Sequence, residues 1–397
     1  MNLRMKISHF FGGVLLIVGT TVGAGIIGLP VDTSPVGFFP SLILLFGCWL
    51  LMLATAYFFL DVNMSIKGES NLISMARCTL GRWGQGLSWI VYLLLLYSLT
   101  AAYIALSAKL FSEGYYFVTG SALPSGIACF LLPLVFGGFI YLGTEGVDLI
   151  NRVMMIGLVV TYFLLILFLP EKVQVERLFR ADFRPASTVL PVIIVSFGYH
   201  IIIPSLVTYM NHNKKKLRWV LFVGSLIPLI FYVVWQLLTM GAIPFTGEAG
   251  FQALLQRDQP VTEALVAVLQ STWIQVAAGL FSFFVVVTSF LGVTLSLSDF
   301  LMDGLRIKKS WEGKLGALAL TFLPPLFFVL TYERGFYLAL RYGGVFVAIL
   351  LIFLPALMAW KLKKPTFYRT IWGRLLLSMA MVSAGFVIIT SIQRAAE

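Results

Sequence analysis

Apolar runs of about twenty residues, separated by short polar stretches, recur along the whole chain. Runs of that length match the hydrocarbon thickness of a bilayer when helical. They predict about eleven membrane helices, over 10–31, 38–62, 86–111, 125–143, 153–170, 188–209, 219–243, 272–299, 315–331, 336–359 and 373–392. Two of these runs are interrupted. The first reads Ile17-Val18-Gly19-Thr20-Thr21-Val22-Gly23-Ala24-Gly25-Ile26-Ile27-Gly28-Leu29-Pro30. Each glycine weakens a helix by about 1 kcal/mol relative to alanine. Backbone freed at membrane depth is tolerated only where it lines a cavity or is buried in protein. A second interruption follows five segments later, at Val195-Ser196-Phe197-Gly198-Tyr199-His200-Ile201-Ile202-Ile203-Pro204.

Five is odd, so a second five-helix unit must insert upside down relative to the first. The pattern therefore predicts an all-α polytopic membrane protein with a five-plus-five inverted repeat. Its halves cover 1–170 and 188–359, with 373–392 as an additional helix. Discontinuous helices 1 and 6 would meet near the midplane, where secondary transporters place their binding sites. An interrupted first segment also disfavours a cleaved signal sequence, whose apolar region is unbroken.

Composition supports lipid as the main solvent, with 59% hydrophobic and only 11% charged residues. The net charge of +11 raises nucleic acid as a partner, but the cations are placed as a membrane protein places them. They gather in alternate connections: Lys67, Arg77 and Arg82; Lys214, Lys215, Lys216 and Arg218; Arg306, Lys308, Lys309 and Lys314; and Lys361 to Arg374. With Arg4 and Lys6, they predict a cytoplasmic N-terminus and a periplasmic C-terminus. The loop 171–187, with Lys172, Arg177, Arg180 and Arg184, runs against this trend. Three cysteines and three histidines show no metal-ligand spacing, so no metal, cofactor or zinc-dependent enzyme is expected. Two connections carry possible short helices, one along Glu69 to Arg77 and one around Phe251 to Leu255 within 244–271, where a flexible linker is the alternative.

The candidate chemistry sits at the interruptions. A helix restarting near Gly25 would offer the amides of Val22 to Gly25 to a carboxylate, with Thr20 and Thr21 adding hydroxyls. The competing reading is close helix packing, because Gly19 and Gly23 also fit small-residue spacing. In the second break, Phe197 and Tyr199 flank Gly198 and can face an aromatic ligand. His200 can carry a proton near neutral pH, or can serve as a neutral structural group. Asp61 can relay protons, close an inner gate by pairing with a base, or remain a solvated carboxylate. Thr288 and Ser289 could bind Na⁺, although hydroxyls in membrane helices mostly bond their own backbone. Tyr103 can cover a substrate or pack in the core. Lys109 and Arg341 near outer ends can snorkel, and Glu145, Asp148 and Arg152 read as a local ion-pair network.

Several short motifs, in this order, resemble the bacterial aromatic amino-acid permeases, the tyrosine- and tryptophan-specific permease family. They are Gly19-Thr20-Thr21-Val22-Gly23-Ala24-Gly25, Leu99-Thr100-Ala101-Ala102-Tyr103-Ile104, Ser196-Phe197-Gly198-Tyr199-His200, Pro204-Ser205, Lys216-Leu217-Arg218-Trp219-Val220, Ile227-Pro228-Leu229, Trp235-Gln236, Thr288-Ser289-Phe290-Leu291-Gly292 and Thr321-Phe322-Leu323-Pro324-Pro325. The resemblance implies eleven helices in a LeuT-like inverted repeat in the inner membrane. It also implies import of an aromatic amino acid, L-tyrosine in the most similar members, by proton symport. Lys109 departs from the acidic residue the family pattern places there. Segment five holds no lysine, which leaves His200 and Asp61 as proton-coupling candidates. Tryptophan or broad aromatic transport and Na⁺ coupling are the near alternatives. An ion channel would need a filter or charge ring, and a membrane enzyme would need paired acid–base groups.

Overall fold

The computed structural model describes residues 3–66, 71–257, 259–269, 272–308, 310–332, 335–363 and 366–395, and every regular element among them is helical. In chain order these are α1 (Leu3–Thr21), α2 (Ala24–Thr33), α3 (Phe38–Ser65), α4 (Leu72–Thr119), α5 (Ser125–Leu142), α6 (Thr144–Phe168), α7 (Val175–Leu178), α8 (Ala186–Val195), α9 (Ile203–Tyr209), α10 (Lys214–Ala242), α11 (Phe251–Arg257), α12 (Val261–Leu269), α13 (Thr272–Gly304), α14 (Trp311–Thr331), α15 (Gly335–Val347), α16 (Leu354–Lys361) and α17 (Ile371–Ala395). Nine spans among the described residues are long and apolar enough to cross a bilayer. The α1–α2 pair makes a tenth, bent by 52° between Thr21 and Gly25. The fourth predicted segment appears as a shorter apolar helix, Gly126–Leu142.

The two interruptions differ in form. The first is a bend. In the second, residues 196–199 leave helical geometry, a 3₁₀ turn covers His200–Ile202, and α9 carries the span onward. A third irregularity was not legible in the apolar pattern. Segment ten contains a π-helical turn, Ala348–Phe353, between α15 and α16. Such turns widen a helix locally and recur at functional sites. Here Leu351 packs beside Gly198 of the second break, 3.7 Å from where a β-carbon would sit.

The connection before segment three is helical and continuous with it. Asn71 and Ser74 cap its start reciprocally, and Gly81, with φ +79°, turns the chain into the long remainder of α4. Glu69 and Ser70 of the expected surface helix lie outside the described residues, as do Lys67, Lys309 and the side chains of Arg4, Lys6, Glu145 and Asp148. The outer connection folds as α11 and α12. Val261, Ala264 and Leu265 share one face of α12 and are buried, and Thr262 hydrogen-bonds Ser282 of α13 at 2.8 Å.

The basic loop 171–187 is accounted for by helix ends. Arg177 donates to the Ala242 carbonyl at the end of α10, and Arg180 donates to Ser34 and Pro35 carbonyls after α2 at 2.7 and 3.0 Å. Cations belong at helix C-termini, where carbonyls lack intrahelical partners. Arg184 instead pairs with Asp182 at 2.8 Å and holds that carboxyl down at about 2. At least three of the cations that break the charge trend are therefore engaged within the protein.

Candidate functional site

α10 reaches both interruptions. Gly224 lets it approach α1 closely, since a β-carbon there would lie 2.8 Å from Ile17 Cβ. Two turns further along, the fully buried Tyr232 hydroxyl donates toward the Thr21 carbonyl at 2.7 Å and the Ser196 carbonyl at 3.0 Å. In unbroken helices those carbonyls would accept from residues 25 and 200. The breaks orphan them, and buried orphan carbonyls need a partner. One phenol therefore joins the last carbonyl of α1 to the carbonyl just after α8.

The breaks also touch directly. A β-carbon on Gly25 would lie 2.9 Å from Ser196 Cβ and 3.3 Å from its Cα, so only glycine fits. A β-carbon on Gly23 would lie 2.7 Å from the Ser289 hydroxyl of α13 and 3.9 Å from the Tyr103 hydroxyl of α4. Phe197 turns to the same region, edge-on to Tyr232 with ring centroids 5.5 Å apart. Gly23, Gly25, Tyr103, Phe197 and Ser289 are thus gathered around the junction.

Other expected residues are placed elsewhere. Gly19 and Thr20 are exposed, and among the described residues only Met155 Cε comes within 4 Å of a β-carbon built on Gly19. Among the described residues, Gly19 therefore has no closely packed helix neighbour. The Thr20 and Thr21 hydroxyls donate to Leu16 and Ile17 carbonyls at 2.7 and 2.6 Å, so their protons are committed to α1. Val22 N–H bonds the Val18 carbonyl at 2.8 Å. The amides at the head of α2 are those of Gly23, Ala24 and Gly25, ahead of the helix's own ladder; the Ala24 side chain is outside the described residues. Thr288 likewise bonds back to Phe284 and Val285 carbonyls.

Across Gly198 the chain changes direction. His200 faces α3 rather than the first break, and the Tyr199 hydroxyl lies beside Ser225 of α10. His200 Nε2 lies 3.0 Å from Thr55 Oγ1, which donates its own proton to the Met52 carbonyl at 3.1 Å. In the tautomer protonated at Nε2, that nitrogen donates to Thr55 and Nδ1 is a buried acceptor with no hydrogen-bond partner among the described residues. Phe59 closes over the ring at a centroid distance of 6.2 Å.

The Tryptophan/tyrosine permease family model matches residues 6–391. The chain belongs to this family. The tyrosine-specific transport system 1 of Haemophilus influenzae is 32% identical, over 96% of this chain and 95% of that protein. The tryptophan-specific transport protein of the same organism is 30% identical, over 90% and 88%. Among solved structures, MhsT in complex with L-phenylalanine superposes with a TM-score of 0.63 at 13% identity, covering 96% of this chain and 97% of that one. The likeness shows a shared LeuT-like fold. The protein is a multi-pass membrane permease rather than an enzyme. No cluster of three or more metal-ligating side chains occurs among the described residues.

At each end of the permease a carboxylate meets a cation. Asp61, with only 1% of its side chain exposed, lies 2.7 Å from Lys214 Nζ and 3.2 Å from an Arg218 nitrogen. It also accepts from the Tyr368 hydroxyl at 2.8 Å, so α3, α10 and the turn before α17 converge on it. Arg341 sits 3.8 Å from Asp32 of α2, with 40% of its side chain exposed. Sequence reasoning missed Tyr232, Thr55, Tyr368 and Asp32. Tyr232 lies in an ordinary apolar helix, and no local signal marks it.

Proposed function

We propose that this permease imports L-tyrosine by proton symport across the bacterial inner membrane, with its N-terminus cytoplasmic and C-terminus periplasmic. The junction of the two breaks at Tyr232 carries the reading. It sets the amides of Gly23, Ala24 and Gly25 beside Ser289, Tyr103 and Phe197. The amides hold the carboxylate, the terminal carbonyls of α1 hold the ammonium, and Tyr103 and Phe197 border the ring. His200 is the proton carrier, as an ionisable group at membrane depth within the second break. Asp61 serves as a latch at the cytoplasmic end. The halves 1–170 and 188–359 act as inverted repeats, one rocking against the other around the site.

Uptake of labelled tyrosine into proteoliposomes, with and without an inward proton gradient, tests the proposal. Accumulation that collapses when the gradient is dissipated is expected, and uptake no greater than in empty vesicles defeats it. Tryptophan is the second reading, supported by a tryptophan-specific relative of similar identity. Competition by unlabelled tryptophan as effective as by tyrosine would favour it. Accumulation driven by Na⁺ without a proton gradient would instead assign coupling to the region of Thr288 and Ser289.

A further inference from the structure

Beside Asp61, a cavity of about 510 Å³ opens to the perimeter of the bundle between α3 and α10. Its polar end is strongly cationic. Lys214, Lys215 and Arg218 line it, and Asp61 is the carboxylate that pairs with Lys214 and Arg218. These cations stand at the positive end of the α10 dipole, which is electrostatically unfavourable without further negative charge. Lys215 is exposed on the wall and has no part in the Asp61 pairing.

The other end of the cavity is apolar, lined by Trp219 and Phe222. Lys215, Trp219 and Phe222 fall at i, i+4 and i+7, along one face of α10. Trp219 is 56% exposed, and its ring meets that of Phe222 at 6.0 Å. Phe222 meets Trp49, and Trp49 meets Phe46 of α3, which is 53% exposed. The aromatic surface beside the cations is thus Trp219 and Phe222, backed by the buried Trp49. A soluble anion would use only the charged end. A phospholipid uses both, with its phosphate among the cations and an acyl chain against Trp219 and Phe222.

We infer that the cavity lined by Lys215, Arg218 and Trp219 is a binding site for an anionic phospholipid of the adjacent leaflet, seated against the Asp61 ion pairs. The full-length protein in phosphatidylcholine vesicles, doped with brominated-chain phosphatidylglycerol or brominated-chain phosphatidylcholine, provides the test through tryptophan quenching. Stronger quenching by the phosphatidylglycerol is expected, and Trp219→Phe should remove the difference. Lys215→Gln should lower the preference about fivefold, the effect of one surface cation, while Lys215→Arg retains it. Equal quenching by the two lipids, or a preference unaffected by Lys215→Gln, overturns the inference. Loss of the preference on adding inorganic phosphate at constant ionic strength would assign the cavity to a soluble anion and overturn it as well.

Discussion

Tyr232 reaches the carbonyl of Thr21 across 211 residues of sequence, at 2.7 Å, and the same hydroxyl reaches the second break at Ser196. A single donor thus stabilises two helix ends that would otherwise be buried without partners. Tyr232→Phe keeps the ring contact with Phe197 and removes only that donor. Leaving a buried acceptor unsatisfied costs about 1–3 kcal/mol. A lower melting temperature in detergent and tyrosine uptake reduced at least about tenfold are expected. Wild-type values for both would show that the breaks are held in place by other contacts.

Gly25 and Gly19 should behave oppositely on replacement by alanine. At Gly25 the new methyl meets Ser196 backbone, whereas at Gly19 it meets open space and one flexible methionine end. Gly25→Ala should abolish uptake, and adding Ser196→Gly should restore part of it. Gly19→Ala should stay within about twofold of wild type, as surface changes do. A harmful Gly19→Ala with a harmless Gly25→Ala would move the site to the other face of α1.

His200 separates coupling from binding. If its Nδ1 receives the coupled proton, His200→Gln should abolish proton-driven accumulation while tyrosine counterflow, which needs no net proton movement, persists. Paired measurements on one vesicle preparation decide this. Retained accumulation would return His200 to a packing role against Thr55 and Phe59.

At Asp61, removing the cations should be worse than removing the acid. Lys214 and Arg218 are 40% and 47% exposed and can turn to water, whereas the carboxylate is enclosed. Lys214→Gln with Arg218→Gln leaves that carboxylate with the Tyr368 hydroxyl, and an unpaired buried charge costs about 3–5 kcal/mol. Asp61→Asn should be milder, and the triple variant should regain stability relative to the double. Thermal unfolding in detergent reads the order. A double variant as stable as Asp61→Asn would contradict it.

The amino-acid sequence by itself determined that this is a helical membrane protein, where most of its spans lie, and that its first and sixth segments contain irregular backbone. Those properties follow from local hydrophobic length and from glycine, proline and hydroxyl residues inside an apolar run. Tertiary structure decided which groups at the breaks are available to a ligand. The Thr20 and Thr21 hydroxyls, adjacent in sequence to the key glycines, are spent on α1's own carbonyls. Across Gly198, Phe197 turns to the junction while His200 turns to Thr55 on α3. Tyr232, unmarked in its own segment, becomes the link between the breaks because Gly224 brings α10 against α1. A broken helix creates orphan carbonyls through local chemistry, but the donor that answers them comes from whichever distant helix the packing brings there.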